Sequence, residues 1–165
     1  MTRLLEGQRI VVFGAAGSLG RAFVAAACGH GAACIASDLR DPALAGVPYF
    51  AADITSAADL ASLVRELERA GDRVDVAINF AGVHHRTMEL GLEDLDVLQT
   101  TWDSVIAVNL TGAFLITAAM ARLFVRQRHG HIVHLCSNGS RLSLYGSYAY
   151  VASKHGVEGL IRGAA

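Results

Sequence analysis

A short apolar run that stops at a cluster of glycines constrains the fold of this chain more than any other feature. Residues Arg9–Phe13 are followed directly by Gly14-Ala15-Ala16-Gly17-Ser18-Leu19-Gly20, where a helical pattern begins. This order predicts a buried strand, a tight turn and a helix. Glycine lets the backbone approach a ligand, and a helix N-terminus offers amide donors to an anion. The segment is a candidate dinucleotide site, although a chain with 17 glycines also uses them as ordinary loop residues.

Strand-like runs recur along the rest of the chain. Apolar stretches predict further strands at residues 32–37, 47–51, 74–80 and 131–136. Pro48 favours an edge position for the third strand, because proline cannot donate a hydrogen bond to a neighbour.

Helical patterns alternate with these strands. Ser56 begins one helix, with Asp59 at capping-box spacing, and Thr100 begins another, with Asp103 in its first turn. A last helix starts at about Ser147. This alternation predicts an α/β fold in which helices cover both faces of a parallel sheet.

Composition narrows the class of protein. The chain has 165 residues and a formal net charge of -1, and no basic block stands out. We therefore expect one domain and no nucleic-acid or anionic-membrane partner. The uncharged stretch at residues 109–121 is too short to span a bilayer, and the N-terminal residues lack the pattern of a secretory signal. A soluble, cytoplasmic protein is the expectation.

Cysteine and histidine patterns give no metal motif. Cys28, Cys34 and Cys136 have no paired spacing and lie in apolar contexts, which predicts reduced core thiols. On the predicted fifth strand, His134 faces away from His129 and His131, so we expect no metal ligands there.

An acidic residue supports the dinucleotide hypothesis. Asp38 ends the second predicted strand 18 residues after Gly20, near the interval at which a carboxylate meets the adenosine ribose. The alternative is a solvated turn residue before Pro42. A carboxylate repels a 2'-phosphate, and neither the glycine turn nor Leu39 offers a cation, so NAD is expected rather than NADP. Arg40 lies nearby, so NADP stays open as the alternative cofactor.

Several motifs together resemble the short-chain dehydrogenase/reductase family over essentially the whole chain. The glycine turn stands where that family has Thr-Gly-x-x-x-Gly-x-Gly, and Asn79-Phe80-Ala81-Gly82 is similar to its Asn-Asn-Ala-Gly. Val108-Asn109-Leu110-Thr111-Gly112 is similar to its central-helix segment. Ser137 and Tyr150-Val151-Ala152-Ser153-Lys154 resemble its catalytic serine and Tyr-x-x-x-Lys motif.

The resemblance implies a fold, an activity and a set of site residues. The fold is a Rossmann-like doubly wound parallel sheet that lacks the last strands of the family, so the fifth strand would be an edge. The activity is interconversion of a small alcohol and ketone with NAD, in a homo-oligomer. The implied catalytic residues are Asn109, Ser137, Tyr150 and Lys154. The implied cofactor-binding residues are Gly14, Gly17, Ser18, Leu19, Gly20, Asp38, Asp53, Ile54, Asn79, Ala81, Gly82, Tyr150 and Lys154.

The glycine turn departs from the family pattern at two positions. Phe13 replaces the usual threonine, and Ser18 replaces the middle glycine. The resulting spacing of Gly14, Gly17 and Gly20 is also that of the extended, epimerase-like branch, whereas the Asn79 segment favours the reductase branch. Both an epimerase and a non-catalytic dinucleotide-binding module stay open as alternatives.

The chemistry favours Tyr150 and Lys154 as a functional pair. A tyrosine has an ordinary pKa near 10 and needs a nearby cation to act as a base near neutral pH. A cation four residues later lies on the same face of a helix. Lys154 is the only lysine, and all other basic residues are arginines, so a compact ammonium is indicated at this position. Tyr145 and Tyr148 lack this spacing and are expected to pack or to face substrate.

Three assignments keep competing interpretations. Ser137 follows the fifth strand and would orient substrate, with Ser140 as a competitor. Asn109 is expected to interrupt its helix and hold a water that relays protons to Lys154, or else to face solvent. The loop residues His84, His85 and Arg86 either line the mouth of the site or are solvated.

Overall fold

A computed structural model describes residues 3–71, 73–85, 87–142 and 144–165. The chain divides into two compact units. The first unit comprises the chain up to Ala81 together with Leu115–Leu135, and the second comprises Gly82–Phe114 and Cys136–Ala165. Arg86 lies outside the described residues.

The first unit is built on a parallel sheet. Its described strands are β1 (Arg9–Phe13), β2 (Ala33–Asp38), β3 (Tyr49–Ala51), β4 (Val76–Asn79) and β5 (His131–His134). Their order is β3-β2-β1-β4-β5, and every pair is parallel. The predicted strands are confirmed, with β3, β4 and β5 shorter than the apolar runs. Pro48 precedes the edge strand β3, and its carbonyl accepts from the Ala36 N–H at 2.8 Å.

Within the described residues, five α-helices follow the predicted alternation. They are α1 (Ser18–Gly29), α2 (Ala57–Ala70), α3 (Leu95–Ile106), α4 (Gly112–Gln127) and α5 (Tyr148–Ala164). The cap of α2 is confirmed, because the Ser56 hydroxyl accepts from the Asp59 N–H at 3.2 Å and donates to its carboxylate at 2.9 Å. The α2 helix ends at Gly71 in the left-handed conformation, with φ of 73°.

Apolar residues fill both faces of the sheet. Ile10 and Val12 of β1 belong to a core cluster with Val24 of α1. On the α2 helix, a buried stripe consists of Leu60, Leu63, Val64 and Leu67. The β1-to-β2 and β3-to-β4 connections run in opposite directions across the sheet, so right-handed crossovers put α1 and α2 on opposite faces. The doubly wound, Rossmann-like arrangement is confirmed.

In the second unit, α3 begins earlier than predicted. It starts at Leu95 after Asp94 rather than at Thr100, so its first-turn acid is Asp96 and not Asp103. The available signal for the earlier start was Asp94 at the N-cap position, which the sequence reasoning did not use. A π-helical turn at Ala107–Thr111 joins α3 to α4.

The continuous helical segment Leu95–Gln127 has 33 residues. By length and composition alone it is apolar enough to cross a membrane, a property that core helices of soluble proteins share.

The cysteines occupy three different environments. Cys34 is buried, and burial raises the pKa of its thiol to about 12, with a contribution from a hydrogen bond to Cys28. Cys136 is partly buried. Cys28 is exposed in the last turn of α1, so the expectation of three core thiols was wrong for this residue. Within the described ranges, no group of three His, Cys, Asp or Glu side chains could hold a metal ion.

Asp75 joins the amino ends of β1 and β5. Its carboxylate is 2% exposed and accepts from the Arg9 N–H at 2.8 Å, and it lies 2.7 Å from Arg73 and 3.0 Å from His129. Its carbonyl accepts from the His131 N–H at 2.9 Å. Burial works against the charged form, but the Arg9 amide, the Arg73 guanidinium and the His129 ring outweigh it and hold the pKa of Asp75 below its ordinary value.

We predict that Asp75→Asn lowers the free energy of unfolding at pH 7 by about 2 kcal/mol, because a charged acceptor of buried hydrogen bonds is lost. The lowered pKa means that this stabilisation is present above the ordinary carboxyl pKa and disappears as pH falls through the folded-state pKa. Urea unfolding of wild type and variant at pH 7 and near pH 3 measures the loss of stability and its dependence on pH. The matched control is Glu66→Gln, an exposed pair that contributes little. A difference from wild type that persists unchanged at low pH would contradict the role of Asp75.

Candidate functional site

The glycine turn of the first unit depends on two of its three glycines. Gly14 has φ of 74°, and a Cβ there would lie 2.4 Å from the Ala81 nitrogen. A Cβ on Gly20 would lie 2.2 Å from the Gly14 carbonyl oxygen. Gly17 has room for a Cβ and is instead the N-cap of α1. The turn therefore requires glycine where backbones touch, as the sequence pattern predicted.

The start of α1 suits an anionic ligand. Gly17 supplies no capping side chain, and the first turn, which includes Ser18 and Leu19, holds no acidic residue. The first amides of a helix have no partner within the helix and carry positive potential. These residues therefore fit the pyrophosphate of a dinucleotide.

Asp38 is tied directly to this turn. Its carboxylate accepts from the Ala16 N–H at 2.9 Å and from the Leu39 N–H at 2.8 Å. The placement at the end of β2 agrees with the prediction, and the solvated-turn alternative does not account for the bond to Ala16.

Arg21 is a residue that the sequence reasoning missed. Its Nε donates to the Ala16 carbonyl at 3.1 Å, so the glycine turn does have a cation beside it, contrary to the expectation. Its position in the first turn of α1 was the available signal, since that turn follows the glycine segment.

Asp53 and Ile54, which the family resemblance implies as cofactor-binding residues, lie between β3 and α2. The Asp53 carboxylate accepts from the Thr55 N–H at 2.8 Å and from its hydroxyl at 2.7 Å. Ile54 is buried. Asp53 is thus fixed by the turn that leads into α2.

Asn79 supports the glycine turn from β4. Its side-chain oxygen accepts from the Ala81 N–H at 2.9 Å, and Ala81 is the residue against which Gly14 packs. Its Nδ2 lies 3.4 Å from Nδ1 of His134, whose Nε2 lies 2.8 Å from the Thr117 hydroxyl. The sequence reasoning considered His134 only as a metal ligand and missed this support.

In the second unit, Asn109 lies inside the π-helical turn and is 2% exposed. Its side-chain oxygen accepts from the Val83 N–H at 2.8 Å, and its Nδ2 donates to the Val83 carbonyl at 2.9 Å and to the Ser153 hydroxyl at 3.1 Å. The predicted interruption of the helix is confirmed, and the solvent-facing alternative was wrong. A Cβ on Gly82 would lie 3.3 Å from Asn109 Oδ1 and 3.9 Å from Lys154 Nζ, so Gly82 leaves room beside both side chains.

Tyr150 and Lys154 share one face of α5, as their spacing predicted. Lys154 is 6% exposed, and its Nζ lies 5.8 Å from the centroid of the Tyr150 ring. Burial lowers the pKa of Lys154, while the neighbouring Cys136 acts in the opposite direction.

Ser137 rather than Ser140 has a hydroxyl near Tyr150. A Cβ on Gly139 would lie 3.4 Å from Tyr150 Cε1 and 3.5 Å from Ser137 Oγ, so one glycine separates these two groups. Ser140 is buried, and its hydroxyl donates to the Ser137 carbonyl. The Ser137 hydroxyl donates to Asn138 Oδ1 at 3.1 Å, and the choice of Ser137 as the serine that orients substrate stays a prediction.

An apolar cleft of about 460 Å³ lies beside Tyr150 within the second unit. His84 and His85 both line it, and the His84 ring meets the edge of the Tyr150 ring with centroids 4.7 Å apart. Tyr148 lines the cleft as well, whereas Tyr145 is exposed. No single motif encodes this cleft, and the sequence reasoning did not find it.

Comparisons with known proteins place the chain in a family. The family model described as short chain dehydrogenase matches residues 8–165. The sex determination protein tasselseed-2 of Zea mays is 34% identical and aligns with 100% of this chain and 52% of its own length. The D-threitol dehydrogenase of Mycolicibacterium smegmatis is 31% identical over 94% of this chain and 62% of its own. The chain therefore belongs to the short-chain dehydrogenase family.

A solved structure agrees with the fold. The gluconate 5-dehydrogenase from Burkholderia cenocepacia, crystallised with NADP and tartrate, superposes with a TM-score of 0.85 at 25% identity. The superposition covers 98% of this chain and 66% of the gluconate 5-dehydrogenase. The chain thus spans about half to two thirds of the length of the relatives it matches. Members of the family are oxidoreductases that bind nicotinamide cofactors.

We predict that Gly20→Ala lowers the free energy of unfolding by about 1–3 kcal/mol, because the new Cβ would overlap the Gly14 carbonyl. The same displacement of the turn should weaken binding of NADH. The control is Gly29→Ala at the end of α1, where a Cβ meets nothing within 4 Å. Thermal melts and NADH titration of both variants measure the effect, and equal behaviour of the two would refute the steric requirement.

Proposed function

We propose that this chain carries the cofactor-binding and catalytic residues of an NAD-dependent oxidoreductase that interconverts an alcohol and its ketone. The observation that carries the proposal is the burial of the single lysine, Lys154, against Tyr150 on α5. Burying an ammonium costs free energy unless favourable electrostatic interactions offset the lost hydration. Polarising the neighbouring phenol is one such interaction. Family membership supports the same reaction class.

Tyr150 is the proposed acid/base. As a phenolate it accepts the hydroxyl proton of an alcohol, and as a phenol it returns a proton to a carbonyl oxygen. Lys154 favours the phenolate and, as the family resemblance implies, also binds the ribose. Ser137 donates a hydrogen bond that orients the substrate oxygen. A bound nicotinamide supplies the hydride acceptor or donor.

Asn109 is proposed as a positioning residue. Its side chain is fully engaged by Val83 and Ser153, and the Ser153 hydroxyl donates to the Tyr150 carbonyl at 2.7 Å. Asn109 therefore fixes α5 at the residue that carries the phenol. We propose that a water held at this π-helical turn relays protons to Lys154.

We propose that the cofactor is NAD and that Asp38 sets this preference. A carboxylate at the end of β2 can accept hydrogen bonds from ribose hydroxyls and repels a 2'-phosphate. Arg21 uses only its Nε on the Ala16 carbonyl, so the proposed preference rests on the Asp38 carboxylate and not on the absence of a cation. The rest of the proposed contact set is Gly14, Gly17, Ser18, Leu19, Gly20, Asp53, Ile54, Asn79, Ala81, Gly82, Tyr150 and Lys154.

Members of the family are typically oligomeric, and we propose a homo-oligomer, a dimer or tetramer, acting in the cytoplasm. Exposed apolar side chains support an interface in the second unit, where Phe114 is 53% exposed on α4 and Ile161 is 38% exposed on α5.

We expect Asp38→Ser to change cofactor preference. Removing the carboxylate should raise the affinity for NADPH relative to NADH by about tenfold or more, since a repulsive charge is lost. Fluorescence titration with both cofactors measures the ratio. Asp41→Ser, in the exposed turn that follows, is the matched control. An unchanged ratio in Asp38→Ser would exclude Asp38 as its determinant.

Tyr150→Phe tests the reaction itself. The variant keeps the ring and loses the proton-transfer group, so kcat/KM should fall by about 10²–10⁴-fold while NADH binding is retained. Tyr145→Phe, at an exposed position, should keep full activity. Steady-state rates with an alcohol panel measure this. Full activity in Tyr150→Phe would rule out its role, and a chain that binds NADH without turnover in any form would favour the non-catalytic module.

A further inference from the structure

We propose that the apolar cleft beside Tyr150 selects a bulky, uncharged, largely apolar secondary alcohol or the corresponding ketone. This inference rests on the proposed function, which it deepens by naming the substrate class. The cleft is called the Trp102 cleft below. It is defined by the following lining residues: His84, His85, Met88, Leu90, Leu95, Leu98, Gln99, Thr101, Trp102, Val105 and Gly146–Tyr150.

The wall of the Trp102 cleft is apolar. Leu95, Leu98, Trp102 and Val105 come from successive turns of α3, so one helix supplies a continuous hydrophobic side. Met88, which is buried, comes from the loop before α3. None of the described lining residues is an aspartate, glutamate, lysine or arginine.

The two histidines that line the cleft already have partners within the protein. His84 Nε2 lies 3.1 Å from the Ser147 hydroxyl, and His85 Nε2 lies 3.0 Å from the Ser104 hydroxyl. A polyol, a phosphate or a carboxylate entering the cleft would lose hydration without regaining equivalent bonds, which is unfavourable. An apolar ring system would gain from each patch of surface that it buries, at about 25 cal/mol per Å².

Size and position agree with this class. A volume of about 460 Å³ lies within the range of small-molecule sites and exceeds what a two- or three-carbon alcohol fills. Tyr150 forms part of the lining, and His84 packs on the edge of its ring. A substrate whose hydroxyl meets Tyr150 would therefore rest its hydrocarbon body on α3.

The reaction balances without any group beyond those already proposed. In oxidation, the carbinol C–H bond breaks as its hydride passes to NAD⁺, and the O–H proton passes to the Tyr150 phenolate. The carbon is oxidised to a ketone, and the dinucleotide is reduced.

Trp102 makes the inference directly measurable, because it is the only tryptophan in the chain and lines the cleft. Titration with 2-decalol, a bicyclic secondary alcohol, should change tryptophan fluorescence saturably. Xylitol and 3-hydroxybutyrate, which carry additional hydroxyls or a charge, should not. In the presence of NAD⁺, 2-decalol should also be the preferred substrate of the three.

Two variants charge the cleft wall, and one matched variant does not. Leu98→Asp puts a carboxylate at a half-buried wall position, and Leu95→Asp does so at an exposed one next to the helix N-terminus, where an acid is compatible with folding. Both should weaken 2-decalol binding by about tenfold or more. Val97→Asp adds the same charge to α3 outside the cleft and should leave binding unchanged.

The outcomes separate this inference from the proposed function. Oxidation of xylitol or 3-hydroxybutyrate in preference to 2-decalol would overturn the substrate class and keep the oxidoreductase. Binding of 2-decalol that both Asp variants leave intact would also overturn it. A third outcome is saturable binding of 2-decalol that Leu98→Asp and Leu95→Asp weaken, without turnover of any alcohol. That result would support the ligand class of the Trp102 cleft and contradict the proposed oxidoreductase activity.

Discussion

Burial of the Asn109 amide is the constraint on which the second unit depends. A side chain with two donors and an acceptor is placed almost wholly out of water, and each group left unpaired would cost about 1–3 kcal/mol. Val83 and Ser153 satisfy it from a loop and from α5. The second unit has no strand among its described residues. The hydrogen bonds of Asn109 therefore connect its segments, as hydrogen bonds between strands connect a sheet. The π-helical turn is the local change that turns the amide toward its partners.

The first unit places one carboxylate at each end of its sheet, in contrasting roles. Asp75 at the amino ends is buried and surrounded by an amide and two basic side chains, which is a structural arrangement. Asp38 at the carboxyl end of β2 is half-buried and bonded to backbone amides beside the glycine turn. Parallel sheets collect ligand-binding loops at their carboxyl ends, so the same residue type stabilises at one end and is available for recognition at the other.

Local signals predicted much of the architecture. Apolar β-branched runs located the strands, and Ser56 with Asp59 located a cap, because these features act over a few residues. The glycine turn was predictable for the same reason. The start of α3 was placed too late, at Thr100 rather than Leu95, because helix boundaries carry a weaker signal than helix interiors. The Trp102 cleft depends on packing between segments that are far apart in sequence. The exposure of Cys28 and the approach of Arg21 to Ala16 depend on the conformation of single side chains. No local pattern encodes them.

Because Lys154 is the only lysine in the chain, proteolysis at this residue can report how often α5 opens. A protease that cleaves only after lysine has a single site in these 165 residues, and that site lies in the middle of α5 with its side chain 6% exposed. Cleavage therefore requires α5 to open locally or the chain to unfold. When opening and closing are fast relative to cleavage, the rate of that one cut reports the free energy of the opening. The residue proposed to tune the phenol is thus also a built-in probe of how firmly its own helix is held.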